Sequence, residues 1–252
     1  MTKPNPGPAP DTGARPYDPS VFPAFAVTVD LAVFTLRSGQ LHTLLVERGE
    51  APHLGQLALP GGFIRPDEDA EAAARRELAE ETQVGLESPF HLEQLRTYSA
   101  VGRDPRMRVV TIAYVAFAPD LPDPVAGADA KAARWLAVDQ ALDAELAFDH
   151  RDILTDAVQR VRAKLEYTTV ATRFLPRTFT LGELRAVYQA VWGEPVEAPN
   201  FRRKVLAAPG FVAPVGQFRV GVPGPRAQLY QAGGAESITP PFTRANARPT
   251  TR

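Results

Sequence analysis

The chain has 252 residues, enough for one large or two small domains, and its apolar fraction is ordinary for a globular protein. It holds no cysteine, which excludes disulfides, thiolate metal sites and cysteine nucleophiles. No apolar run approaches the roughly 18 residues needed to span a bilayer, so a soluble cytoplasmic protein without membrane contact is expected. Residues 1–164 carry 17 basic against 24 acidic side chains, a net of −7, and residues 165–252 carry 11 against 5, a net of +6. That asymmetry suggests two domains, the basic one facing a polyanion, although excesses of this size also arise without a partner.

Residues 1–22 read as a disordered arm, because Pro4, Pro6, Pro8, Pro10, Pro16 and Pro19 leave little to pack. Residues 26–34 and 41–47 are β-rich and are joined by a Ser38-Gly39 turn. Residues 56–59 form a short strand ending at the tight turn Pro60-Gly61-Gly62. The stretch 69–82 is rich in Ala, Glu and Arg without Gly or Pro and predicts a helix. Strands follow at 90–98, 108–117 and 135–138, the second nearly continuous in apolar residues and therefore central. Residues 150–166 place Ile153, Leu154, Val158, Val161 and Leu165 at helical spacing. The mixed order of strands and helices argues α+β.

A second module begins near Tyr167. Thr180 and Glu183 have the spacing of a capping box and open a helix that runs to about Val191. A basic helix spans about 200–207, and residues 211–213 and 228–230 pair as a hairpin around a Gly- and Pro-rich stretch. Helix, turn, basic helix and hairpin in that order predict a winged helix over 167–231. Residues 232–252 are polar and read as a disordered tail.

Chemistry concentrates on the helix at 69–82. Glu77, Glu80 and Glu81 fall within one arc of about 100°, together with Ala70, Ala73 and Ala74. Small apolar residues mark the side that lies against the protein body, so the carboxylates are expected on the inward stripe. Like charges crowded there repel and are costly to desolvate, which a divalent cation resolves. Oxygen donors without His or Cys suit Mg²⁺ or Mn²⁺. A solvated acidic face is the competing reading. The glycine turn adds backbone that can approach a ligand closely, which makes Gly62 a candidate metal neighbour and Gly61 a candidate ligand contact.

Gly62, five residues, Glu68, seven residues and then Arg76-Glu77-Leu78-Ala79-Glu80-Glu81 resembles the signature of the Nudix hydrolases, except that Gln83 stands where that family usually has Gly. The resemblance implies a Nudix fold over 23–166, a mixed sheet between helices, and hydrolysis of a nucleoside diphosphate linked to another group. By position it makes Glu77 and Glu81 the main metal ligands and Glu80 a ligand or water-activating group, with Glu68 and Arg76 holding loop and helix together. Glu145 and Asp149 are candidate bases outside the box.

The strings at 57–63, 103–106, 147–150, 164–168, 179–184 and 200–204 extend the likeness to the Nudix-related transcriptional regulators, the NrtR family. That resemblance implies an ADP-ribose-type Nudix domain, a homodimer, and repression of genes of NAD-related metabolism through double-stranded DNA. Asn200, Arg202, Arg203 and Lys204 begin the recognition helix, where side chains and helix dipole meet phosphates or base edges. Arg219 and Arg226 place basic groups on the wing. Arg48, Arg103 and Arg106 are candidates for phosphate or ribose. His42, His53 and His91 lack metal-like spacing, and the pair Asp149-His150 is explained by helix capping. Three outcomes remain compatible with these residues: a regulator that retains hydrolysis, a purely sensing repressor, and a hydrolase whose winged helix serves only dimerisation.

Overall fold

The computed structural model describes residues 18–82, 90–119, 121–124, 130–219 and 226–244. The fold is built on β1 (Ala26–Arg37), which pairs in parallel with β6 (Val109–Phe117) from Ala26↔Val109 to Phe34↔Phe117. β5 (His91–Tyr98) lies antiparallel on the far side of β6. On the other side, β2 (Gln40–Arg48) pairs with β1 only near the Ser38-Gly39 turn, at Phe34–Arg37, and then splays away. Two short strands fill the wedge: β3 (Leu57–Ala58) pairs with β2, and β4 (Gly61–Phe63) pairs with Thr28–Asp30 of β1. β7 (Ala130–Ala137) closes the outer edge of β2. The result is a seven-stranded mixed sheet.

Strand periodicity decides what covers each face. Val29, Leu31 and Val33 of β1 and Tyr114 and Ala116 of β6 pack with Ala73, Ala74 and Leu78 of α1 (Ala70–Thr82). Ala32, Phe34, Ala113, Val115 and Phe117 point the other way, toward Ile153, Leu154 and Ala157 of α3 (His150–Tyr167). A short helix absent from the sequence reading, α2 (Val138–Asp143), precedes α3 and buries Val138 and Ala141. The expected helix at 69–82 begins at Ala70, and Asp69 caps it by accepting a hydrogen bond from the Ala72 amide at 2.8 Å.

The apolar cluster under α3 continues without a break into the second module, through Leu165, Phe174, Leu184, Val187 and Phe201. There, a 3₁₀ turn at Thr169–Phe174 leads to β8 (Phe179–Thr180), α4 (Leu181–Trp192), α5 (Ala198–Ala207), β9 (Val212–Arg219) and β10 (Ala227–Ala232). The three strands form a sheet in the order β8-β10-β9, as in a winged helix. Thr180 and Glu183 make the expected capping box. α5 starts two residues earlier than expected, with Glu197 as its N-cap and Pro199 in its first turn.

The expectation of a disordered tail over 232–252 is corrected for residues 232–244. Ile238 and Phe242 are buried, and their amides donate to the Tyr167 carbonyl at 2.8 Å and the Glu166 carbonyl at 2.7 Å. Two well-placed apolar side chains anchor a segment whose overall composition is polar. Residues 1–17, 83–89, 220–225 and 245–252, and with them most of the N-terminal arm, Gln83, the wing tip and the chain end, lie outside the described residues.

Candidate functional site

The glycines at 61 and 62 are not a tight turn, as expected, but extended residues of β4 held between β1 and α1. Their lack of side chains is nonetheless demanded by contact. A Cβ on Gly61 would lie 2.2 Å from the Val29 carbonyl oxygen, and one on Gly62 would lie 2.3 Å from Glu77 Oε1. Gly62 is therefore the surface against which the Glu77 carboxylate rests.

On α1, the helical turn brings Arg76, Glu77 and Glu80 together with Glu68 from the preceding loop. Arg76 donates to both Glu68 oxygens, at 2.9 Å from Nε and 2.5 Å from Nη2, and Nη2 also reaches the Phe63 carbonyl at 3.1 Å. Its Nη1 lies 2.6 Å from Glu77 and 2.9 Å from Glu80. Hydrogen bonding from Arg76 lowers the Glu68 pKa to about 2. Burial raises that of Glu77 despite the same arginine. Arg65 adds a second cation on Glu80, at 3.2 Å, and its amide donates to Glu68. Glu68 and Arg76 thus pair as the signature implies.

The expected inward stripe needs one correction. Glu77 is buried beside Ala73 and Ala74, but the Glu80 side chain is 49% exposed, because it lies at the rim of the arc. Glu81 belongs to α1, and its side chain lies outside the described residues. Among the described residues no group of three or more His, Asp or Glu is arranged to hold a metal ion. What is described is a pair, Glu77 and Glu80, gathered by one guanidinium.

On the opposite face of β1 lies a buried network that the sequence reading did not assemble. Arg103, expected as a ligand contact, points inward with 5% exposure, and its guanidinium binds Asp149 at 2.9 and 2.6 Å and Asp30 at 3.2 Å. Burial works against its charge, but the two aspartates outweigh that and raise its pKa. Asp149 therefore makes no side-chain capping bond to α3, contrary to expectation. His150 is buried: its Nδ1 accepts from the Leu59 amide at 2.9 Å, and its Nε2 lies 3.5 Å from Asp30. Desolvation lowers the His150 pKa, so the ring is neutral and carries its proton on Nε2. The sequence signal was Asp30, a lone acid in the apolar run at 26–34.

The other candidates divide. Arg106 is held by both oxygens of Asp104 and lies 5.8 Å from the ring centres of both Phe63 and Phe148. Arg48 donates to the Pro52 carbonyl and stacks over Phe148 at 4.8 Å. These two arginines and two rings line the approach to β4 and form an aromatic and cationic group that the sequence reading had only in part. Glu145 accepts from Gln56 at 3.2 Å on the surface. His53 packs edge-on against Phe148, and His91 pairs with Glu93.

In the second module, Arg202 and Arg203 are exposed on α5, with Arg203 bonded to Asn200 at 2.7 Å. Lys204 lies 5.8 Å from the ring centre of Phe242. Arg226 is exposed immediately before β10. Arg219 departs from expectation: both its terminal nitrogens bind Glu183, at 2.8 and 3.1 Å, so the guanidinium is engaged within the module.

Comparison with known proteins agrees with this architecture. Residues 26–157 match the NUDIX domain, and residues 171–232 match the NrtR DNA-binding winged helix domain. The chain is 36% identical, over 85% of its length and 85% of the relative's, to the ADPR responsive transcriptional repressor NtrR of Acinetobacter baylyi. It superposes on Shewanella oneidensis NrtR complexed with a 27mer DNA with a TM-score of 0.68 at 34% identity, covering 82% of this chain and 93% of that one. The NUDIX domain of the same protein complexed with ADP ribose gives a TM-score of 0.51 at 37% identity, covering 57% of this chain and 94% of that one. The chain belongs to the NUDIX family and, within it, to the NrtR proteins that join a Nudix domain to a DNA-binding winged helix.

Proposed function

We propose that this protein is an ADP-ribose-responsive transcriptional repressor, acting as a homodimer on double-stranded DNA, whose Nudix domain retains a divalent-metal-dependent pyrophosphohydrolase site. The observation that carries the reading is the presence, on one chain, of an intact Glu68-Arg76-Glu77-Glu80 constellation and of a winged helix with an exposed basic α5, whose apolar core continues into that of the α3 face of the Nudix sheet. The relatives named above support both halves, since one is described as ADPR responsive and another is complexed with DNA. No helix among the described residues is long and apolar enough to cross a membrane.

The donor set fits a hard cation. Glu77 and Glu80 offer only oxygen, Gly62 leaves room for the Glu77 carboxylate, and Glu77 is a buried acid whose charge is offset chiefly by Arg76, with Arg65 farther off. Glu81 is the third donor by position. Bound there, Mg²⁺ or Mn²⁺ would neutralise diphosphate charge and lower the pKa of an attacking water. The chain's own contribution is positional: Arg76 sets the separation of Glu68, Glu77 and Glu80, and Gly61 and Gly62 let backbone reach the ligand. Arg48 and Arg106, beside Phe63 and Phe148, supply cationic and stacking surface for phosphate, ribose or base. Asn200, Arg202, Arg203, Lys204 and Arg226 supply DNA contacts.

The test is a DNA-shift assay on duplexes selected by the full-length protein, with and without ADP-ribose, beside an assay of AMP release from ADP-ribose in Mg²⁺. Retarded duplex whose affinity responds to ADP-ribose supports the regulator. Absence of salt-sensitive DNA binding removes it. AMP release that Glu81→Gln abolishes supports hydrolysis, and no turnover by the wild type leaves a sensing site alone.

A further inference from the structure

The described C-terminal segment joins the last turn of α3 to the recognition helix α5. The residue after β3, which leads into β4, is bonded to the first turn of α3 through the Leu59 amide on His150 Nδ1, buried and 2.9 Å long. α3 then runs 18 residues, about 27 Å at 1.5 Å per residue. Its last turn presents two carbonyls outward. Tyr167 accepts from Ile238 and Glu166 accepts from Phe242, while the Glu166 carboxylate holds Arg244 Nε at 2.7 Å. Phe242 in turn packs against Phe201 of α5 at 6.0 Å and against Phe211 at 5.9 Å, and the Lys204 ammonium lies over its ring. Thr169 fixes the start of the segment through the carbonyls of Glu236 and Ala235.

We propose that α3 and residues 235–244 form the coupling strut of the protein, transmitting occupancy of the β4 site to α5, with His150 and Phe242 as its two joints. The proposal rests on the reading of the protein as an ADP-ribose-responsive repressor and assigns its regulation to named contacts. A shift of the 59–62 segment moves the Leu59 amide bonded to His150 Nδ1 and so the first turn of α3. A helix transmits such a shift along its axis, because its backbone bonds are short and its buried face is close-packed. At the far end, the Glu166 and Tyr167 carbonyls carry the segment, and Phe242 sits directly beneath the helix that bears Arg202, Arg203 and Lys204. At Phe242 the path acts through ring packing and through the Lys204 ammonium over its ring.

The experiment measures the ratio of DNA affinities without and with saturating ADP-ribose, using the tightest duplex of 27 base pairs selected by the full-length protein from a random pool. ADP-ribose affinity of the free protein is measured by calorimetry alongside. The wild type is expected to show a ratio of about fivefold or more. Phe242→Ala and Arg244→Ala should bring it close to 1 while changing free ADP-ribose affinity less than about twofold. His150→Phe should do the same, and His150→Asn, which keeps an acceptor near the Nδ1 position, should restore the ratio. A merely structural role would lower the melting temperature and leave the ratio intact. Should Phe242→Ala fail to fold, the peripheral Arg244→Ala decides. An unchanged ratio in the folded variants overturns the proposal. A wild-type ratio of 1 with ADP-ribose bound overturns it while leaving ligand binding standing, and no ADP-ribose binding at all overturns the underlying reading as well.

Discussion

Gly62 and Glu77 stand so close that a Cβ on the glycine would lie 2.3 Å from Glu77 Oε1. The obstructing atoms belong to the far end of a side chain that can swing, so Gly62→Ala is expected to displace the carboxylate and leave the backbone in place. Displacing one donor should weaken Mn²⁺ binding by about 10–100-fold, with AMP release from ADP-ribose falling in step and the unfolding midpoint nearly unchanged. Gly61→Ala behaves oppositely: its Cβ meets the Val29 carbonyl oxygen at 2.2 Å, which is backbone. That substitution should cost about 1–3 kcal/mol of stability, as overpacking does. Calorimetric metal titrations and urea melts of the two variants separate the cases, and matching profiles would refute the assignment.

Arg103 illustrates why the site was only partly legible in the sequence. The box was readable because its charged residues lie within one helix and the loop before it, at spacings that helical geometry translates directly into proximity. Arg103 meets Asp149, 46 residues on, and Asp30, 73 residues back, so no local pattern could reveal that it faces inward. Phe242 escaped notice for a related reason. Its segment has too few apolar residues to predict order, and only the tertiary pocket formed by Tyr188, Phe201 and Phe211 explains why one ring holds it. The splayed β1–β2 pair, by contrast, was half visible: both strands showed, but the wedge that admits β3 and β4 is a consequence of pairing.

Removing that arginine leaves two carboxylates facing each other in a site with little solvent. Arg103→Ala is expected to destabilise the protein by about 3–5 kcal/mol, the usual result of stranding buried charges. Adding Asp149→Asn should recover part of the loss, since it removes one of the two stranded charges. Thermal melts of the single and double variants check this; equal melting temperatures for both would show that the pair does not interact through Arg103.

His150 sets the acid side of stability. Burial lowers its pKa below the ordinary value of 6.5, with Arg103 and Arg48 working in the same direction and Asp30 and Asp149 opposing them. The unfolded chain therefore takes up a proton on this ring before the folded one does. Stability from the neutral ring is fully present above about pH 6.5 and is lost as pH falls below it. Protonation would also turn Nδ1 from acceptor to donor against the Leu59 amide. Urea midpoints should fall between pH 7 and 5, and His150→Asn should flatten that part of the profile; an equally steep profile in the variant would assign the effect elsewhere.

Arg202 and Arg219, both basic and both in the winged helix, are expected to differ in their effect on DNA binding. Arg202 is exposed on α5, so Arg202→Ala should weaken binding and reduce the slope of log affinity against log salt by about one. Arg219 is held by both oxygens of Glu183, the residue that completes the capping box of α4. Arg219→Ala should leave the salt slope nearly unchanged and lower the melting temperature modestly, as expected for a half-exposed pair. Filter-binding titrations at four salt concentrations distinguish them, and a slope change in Arg219→Ala equal to that in Arg202→Ala would place the wing arginine on DNA.

Tyr188 carries a buried hydroxyl without a hydrogen-bond partner among the described residues, in the middle of the ring cluster formed with Trp192, Phe201 and Phe242. Burial alone raises its pKa, so the phenol stays neutral throughout the physiological range. An unsatisfied buried group of this kind costs about 1–3 kcal/mol relative to a bonded one. Phe fills the same volume except for the oxygen, so Tyr188→Phe should be neutral or raise the melting temperature. Tyr188→Ala should cost about 3–5 kcal/mol by leaving a cavity next to Phe201 and Phe242. Because α5 rests on those rings, the alanine variant should lose DNA affinity together with stability, whereas the phenylalanine variant should keep it. A marked loss of stability in Tyr188→Phe would mean that the hydroxyl is bonded in solution, through an ordered water between the rings.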